Sequence, residues 1–260
     1  MEKSLDAGLP DTNPLLPGRD FTLGIAITLI VFGVFVMAQN YLILDVWADQ
    51  QGIEALSGET LSKLAEPNAE QELLALAEDG DTVSKISIGS GLLGILTMAV
   101  LLFFWRSRSK VEILGLRGFS VTHFGLFLLG FAAVVAAQQF IADAVGFEID
   151  FMEKVMGSVT DKTLMLLGIG IIAPLFEELW LRGIAYWSIE RISNQHVAIG
   201  VTSVAFALLH IQYPWPVILS IIPLGIILGY ARSVSGSIVL PIILHILNNA
   251  SSVLFYEHLG

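Results

Sequence analysis

FTLGIAITLIVFGVFVMAQNYLIL, residues 21–44, contains no Asp, Glu, Lys or Arg. About 20 consecutive apolar residues in a helix cross the hydrocarbon core of a bilayer, so this stretch reads as a membrane span. Ile86–Trp105 and Phe119–Ala142 are charge-free in the same way. A fourth span begins near Thr163, runs through Pro174 into Glu177-Glu178, and continues as an amphipathic stretch towards Arg191. The charge-free run Ile192–Ala231 is too long for one crossing. It is broken at Gln212-Tyr213-Pro214-Trp215-Pro216, where two prolines and two aromatics suit an interfacial turn. That predicts a fifth span near Val197–Ile211, a sixth near Val217–Tyr230 and a seventh at Ser237–Tyr256. The expected fold is all-α, a polytopic transmembrane helix bundle of about seven to eight spans.

Composition agrees. Of 260 residues, 55% are hydrophobic and 14% charged, against about 25% charged in soluble domains. The mean hydropathy is +0.75. A formal net charge of −11 argues against a nucleic-acid partner. The absence of cysteine excludes disulfides, thiolate metal sites and a thiol nucleophile. Residues 1–20 carry Pro10, Pro14 and Pro17 without a basic region followed by a short apolar core. They are expected to form a tail, not a cleavable signal peptide.

Three regions are expected. The tail is followed by residues 21–118, two spans joined by an acidic extramembrane loop (45–85), and then by a core over 119–260. The Leu and Ala spacing around Leu61–Ala77 predicts some helix within that loop, which reads as a solvated connector. Arg106, Arg108, Lys110, Arg117, Arg182, Arg191 and Arg232 fall on one side if the spans alternate. Lys and Arg favour the cytoplasmic face. The N-terminus is therefore expected inside, the acidic loop outside and, with seven spans, the C-terminus outside; the membrane is expected to be a prokaryotic cell (inner) membrane.

A charge within a span is costly and marks a functional candidate. Glu178 and Arg182 lie four apart and share a helix face, which favours an ion pair. Glu177 is rotated about 100° away by the helical pitch and lacks that partner, leaving it available as a general base. The alternative is that both carboxylates serve Arg182. Pro174, just upstream, removes a helix hydrogen bond and would open the backbone near Glu177. His210 follows Phe206 by four residues, and His245 precedes Asn249 by four, so each pair shares a face. Taken singly, each is explained by interfacial or interhelical hydrogen bonds. Asn248 is expected to face elsewhere. Gln138 and Gln139 are expected to hydrogen-bond between helices, His123 and His196 to lie at span ends, and Gly225 and Gly229 to permit close packing.

The three pairs together are rarer than any one of them. Glu177-Glu178-x-x-x-Arg182, Phe206-x-x-x-His210 and His245-x-x-x-Asn249 resemble the three motifs of the CPBP family. That family contains the CAAX prenyl endopeptidases and the bacteriocin-processing and self-immunity proteins also called Abi. The resemblance covers about Phe119–Tyr256 and implies peptide-bond hydrolysis within the membrane. It implies that Glu177 and His210 activate a water, that His245 and Asn249 stabilise the oxyanion, and that Glu178, Arg182 and Phe206 support the site. Family members have also been described as metalloproteases. A zinc ion held by Glu177, His210 and His245 is thus the alternative to the metal-independent, glutamate-driven reaction expected here. The expected partners are the bilayer and a peptide or protein substrate, with lipidation of that substrate left open. The rival reading is a non-catalytic membrane immunity or scaffold protein of the same fold. A transporter would predict paired repeats and broken helices in both halves, which are not found in the sequence.

Overall fold

The computed structural model describes residues 16–105, 108–145 and 150–259, and every regular element among them is helical. In chain order they are α1 (Leu16–Gln51), α2 (Gly58–Leu64), α3 (Ala69–Ala77), α4 (Gly80–Phe104), α5 (Lys110–Leu114), α6 (Val121–Val145) and α7 (Asp150–Gly157). They continue as α8 (Lys162–Glu190), α9 (Gln195–Leu208), α10 (Trp215–Ser235) and α11 (Val239–Leu259). Among the described residues, α1, α4, α6, α8, α10 and α11 are long and apolar enough to cross a membrane. Their outward faces carry Leu29, Met37, Leu96, Leu129 and Phe140, all exposed. The fold is an all-α polytopic bundle.

Two boundaries differ from the sequence reading. Helix α1 is already formed at Leu16, the first described residue and inside the expected tail, and its Asp20 finds cations. Its fully buried carboxylate lies 2.8 Å from Arg108 and 3.4 Å from Arg191. The expected fifth span, Val197–Ile211, is instead α9, whose 14 residues rise about 21 Å against a hydrocarbon core of about 30 Å. Six long helices among the described residues thus stand where seven to eight spans were expected. Two cations counted towards orientation are interior, since Arg182 is fully buried and Arg232 is 6% exposed; Arg106 lies outside the described residues.

The acidic segment is ordered by local caps. Ser57 accepts from the Thr60 amide at the start of α2, and Asp79 does so from Thr82 at the start of α4. Trp47 and Gln51 of α1 donate to Glu72 of α3 at 2.9 and 3.1 Å.

Helix α8 is continuous but not uniformly α-helical. Leu166–Ile172 and Leu179–Ala185 are π-helical, on either side of the α-helical Ala173–Glu178. Pro174 has no N–H to close the ordinary ladder, and wider π turns are one way to accommodate that loss. Gly168 brings α8 against α4, since a Cβ there would stand 2.6 Å from the Ser84 carbonyl oxygen. Gly225 and Gly229 let α10 close on α9, where a Cβ would stand 3.0 Å from Ser203 and 2.9 Å from Ile199. Gly168→Ala is expected to lower stability by about 1–3 kcal/mol through overpacking. Thermal unfolding in detergent checks this, with Gly200→Ala as the neutral control because its Cβ meets nothing within 4 Å.

Candidate active site

The lengths of α8 and α9 decide the depth of the site. Glu177 lies in the middle of α8, and α9 returns antiparallel from Gln195 for about 21 Å. It therefore ends near the level of Glu177. Leu209 caps α9, and His210 lies in the turn that follows, its amide donating to the Ala207 carbonyl at 3.1 Å. The expected continuation of the fourth helix towards Arg191 is thus present, and it is what lets Glu177 and His210 line one cavity.

Glu178 and Arg182 are both fully buried and 2.9 Å apart. A buried cation is costly unless it is paired, and Arg182 is answered at both terminal nitrogens while its Nε has no hydrogen-bond partner. The Arg182 Nη2 donates to the Gly225 carbonyl at 3.1 Å, and the guanidinium lies over the Phe206 ring, 4.5 Å from its centroid. Arg232 donates from Nε to the Arg182 carbonyl at 3.2 Å. Phe206 also presents T-shaped contacts to His210 and His245, with centroids 5.2 and 5.3 Å away.

The Glu178 Oε1 that meets Arg182 also accepts from His245 Nδ1 at 3.0 Å. His245 Nε2 then stands 3.8 Å from Glu177 Oε2, beyond a direct hydrogen bond but within ion-pair reach. Glu178 was expected to pair with Arg182 and support the site; in the structure it also orients His245. Residue spacing within one helix carries no information about that link between α8 and α11.

His210 is held by its neighbours. The only hydrogen-bonding role of a carbonyl is to accept, so the 2.9 Å contact to Phe206 requires Nδ1–H to donate. In the neutral ring Nε2 is then left with its lone pair. The Tyr213 ring stacks on the imidazole, with centroids 6.1 Å apart. Asn249 donates to the Ile169 carbonyl at 3.1 Å, which uses one of its two amide hydrogens. Asn248 donates to Asn249 at 3.2 Å and lines the cavity, contrary to the expectation that it faces elsewhere.

The cavity has a volume of about 620 Å³ and is lined by Glu177, His210, His245 and Asn249. Its walls also come from α1 and α4, which the motif reading did not reach. The polar pair Gln39-Asn40 inside an otherwise apolar span was the available signal for α1. Gln138 donates to the Ser220 carbonyl, the interhelical bond expected of it, and His196, at the start of α9, meets the Tyr230 hydroxyl at 2.9 Å. Among the described residues no three His, Asp or Glu side chains converge to hold a metal ion. Glu177, His210 and His245 as placed therefore do not form a three-ligand zinc site.

Residues 159–251 match the family model of Rce1-like, type II CAAX prenyl endopeptidases. A curated Escherichia coli protein named "Uncharacterized 24.3 kDa protein" is 33% identical over 139 residues, covering 52% of this chain and 60% of that protein. The chain thus spans less than two thirds of that relative's length. No solved structure matches. The matched segment holds all three motifs, from Glu177 to Asn249, and leaves α1 and α4 outside it. Residues 159–251, little more than a third of the chain, are thus similar to the Rce1-like type II CAAX prenyl endopeptidases, which supports the resemblance to the CPBP family of intramembrane proteases.

Proposed function

We propose that the chain is an intramembrane endopeptidase that hydrolyses peptide bonds of membrane-associated substrates with a water activated by Glu177 and His210. The observation that carries this reading is the division of labour between the adjacent glutamates. Glu178 is consumed by Arg182 and His245, while Glu177 faces the cavity with His245 as its near neighbour.

In the reaction Glu177 takes a proton from water, assisted by the Nε2 lone pair of His210, and the oxygen attacks the scissile carbonyl carbon. The developing oxyanion is met by the free amide hydrogen of Asn249 and by Nε2–H of His245. Because His245 already donates from Nδ1 to Glu178, this second donation requires the doubly protonated ring. Collapse of the tetrahedral intermediate breaks the C–N bond, and the proton on Glu177 passes to the leaving amine. A positioned base contributes typically about 10²–10⁴-fold, and an oxyanion donor about 10²–10³-fold in a dry site.

The reaction as written needs no metal. Cleavage of apolar peptides by the purified protein in liposomes is expected to continue after dialysis against EDTA or 1,10-phenanthroline. Loss on chelation with recovery on added zinc would replace the glutamate mechanism with a metal-dependent one.

A further inference from the structure

Polar side chains inside the first two long helices mostly turn back on their own backbone. Thr28 donates to the Gly24 carbonyl, Asn40 to Val36, Ser84 to Gly80, Ser90 to Ile86 and Thr97 to Leu93, all between 2.6 and 2.8 Å. Two side chains that line the cavity do not follow this pattern. Gln39 of α1 and Ser87 of α4 line the cavity that holds Glu177, and among the described residues neither has a hydrogen-bond partner. Ser87 is one turn from both Ser84 and Ser90, so helix geometry does not forbid a bond to its own backbone. At membrane depth an unanswered amide and hydroxyl need a polar occupant beside them.

The depth of these two groups follows from the packing. Phe35 of α1 stacks on Phe176 of α8 at 4.5 Å, and Phe32 on Trp180 at 5.3 Å, so the two helices run antiparallel. Gln39 therefore lies about one turn from the Glu177 level, towards Met165. Ser87 lies further in the same direction, because Ser84 meets Gly168. The cavity continues to Met165 and Val155, about 18 Å from Glu177 along α8. Extended chain advances about 3.3 Å per residue, so that length holds about five residues.

We infer that Gln39 and Ser87 form a subsite for the main chain of an extended peptide, running from the Glu177 end of the cavity towards Met165. This rests on the peptidase reading and adds the conformation of the substrate and the wall that recognises it. An extended segment has lost its helical hydrogen bonds, so within a span it must find donors and acceptors along its path. The Gln39 amide offers both, and the Ser87 hydroxyl offers both. Asn248 continues the polar strip on the opposite wall. Side-chain identity would then be read weakly and backbone accessibility strongly.

The absence of native cysteine makes the test clean. Gln39→Cys and Ser87→Cys are introduced singly into the Glu177→Gln protein in liposomes. Each is exposed under oxidising conditions to apolar peptides that carry one cysteine at each position in turn. Disulfide cross-links at every second peptide position are expected at both sites, the period of extended chain. Cross-links with a three-to-four-residue period, or none above a lipid-facing Leu29→Cys control, overturn the inference. In the active protein, Gln39→Leu with Ser87→Ala is expected to raise KM about twofold to tenfold per lost bond, with kcat little changed. Unchanged KM on a peptide that the wild type cuts also overturns it, and leaves the peptidase reading standing. Alternating cross-links in a protein whose wild type cuts no peptide would instead retain the subsite and remove the peptidase.

Discussion

Glu177→Gln is expected to reduce peptide cleavage by at least about 10²-fold while leaving the protein folded in the membrane. The substitution keeps shape and removes the base, since an amide cannot accept the proton of water. Little of the fold depends on the Glu177 charge, because Glu178 supplies the buried partner of Arg182. His210→Ala is expected to fall in the same range, because the Nε2 acceptor is lost and the Phe206 carbonyl is left to solvent. His210→Gln, which retains an acceptor, should recover part of the activity. Cleavage rates of purified variants, with size-exclusion profiles to confirm folding, separate these outcomes from collapse. A Glu177→Gln protein that cuts at the wild-type rate would remove Glu177 from the mechanism.

Glu178→Ala is expected to destabilise the protein by about 3–5 kcal/mol, more than any change at Glu177. It would leave a fully buried guanidinium with one carbonyl and one aromatic face, and it would also free the His245 ring. Arg182→Ala should fall in the same range by leaving the carboxylate uncompensated. The double change Glu178→Leu with Arg182→Met should cost less than either single change, since no charge remains buried. Thermal unfolding in detergent reads the order of the three. A Glu178→Ala protein as stable as wild type would mean the pair contributes nothing to the bundle. In either case activity should fall, because Nδ1 of His245 has lost its acceptor.

Much of this was legible in the residues because bilayer constraints are simple. The charge-free runs predicted each long helix to within several residues, and the i,i+4 pairs placed Glu178 on Arg182 and Phe206 on His210. What failed to show was whatever depends on two helices meeting. The bond from His245 to Glu178, the position of Asn248 and the reach of α1 and α4 into the cavity are set by tertiary packing. That Asp20 belongs to α1 was hidden because the cations that neutralise it lie at Arg108 and Arg191, far along the chain. The end of α9 at Leu208 was hidden because Leu209–Ile211 is as apolar as a helix that continues. The π turns of α8 are consistent with Pro174, but that residue alone announces a disturbance and not its form.

The central claim is that water, activated at Glu177, is added across a peptide bond within the bundle. It is tested most directly by digesting a library of apolar peptides with the purified protein in liposomes made up in ¹⁸O-water, and reading the products by mass spectrometry. Internal cleavage with one ¹⁸O in each new carboxyl group, absent from the Glu177→Gln digest, is the predicted result. No new termini from the wild-type protein, or the same termini from Glu177→Gln, would contradict it.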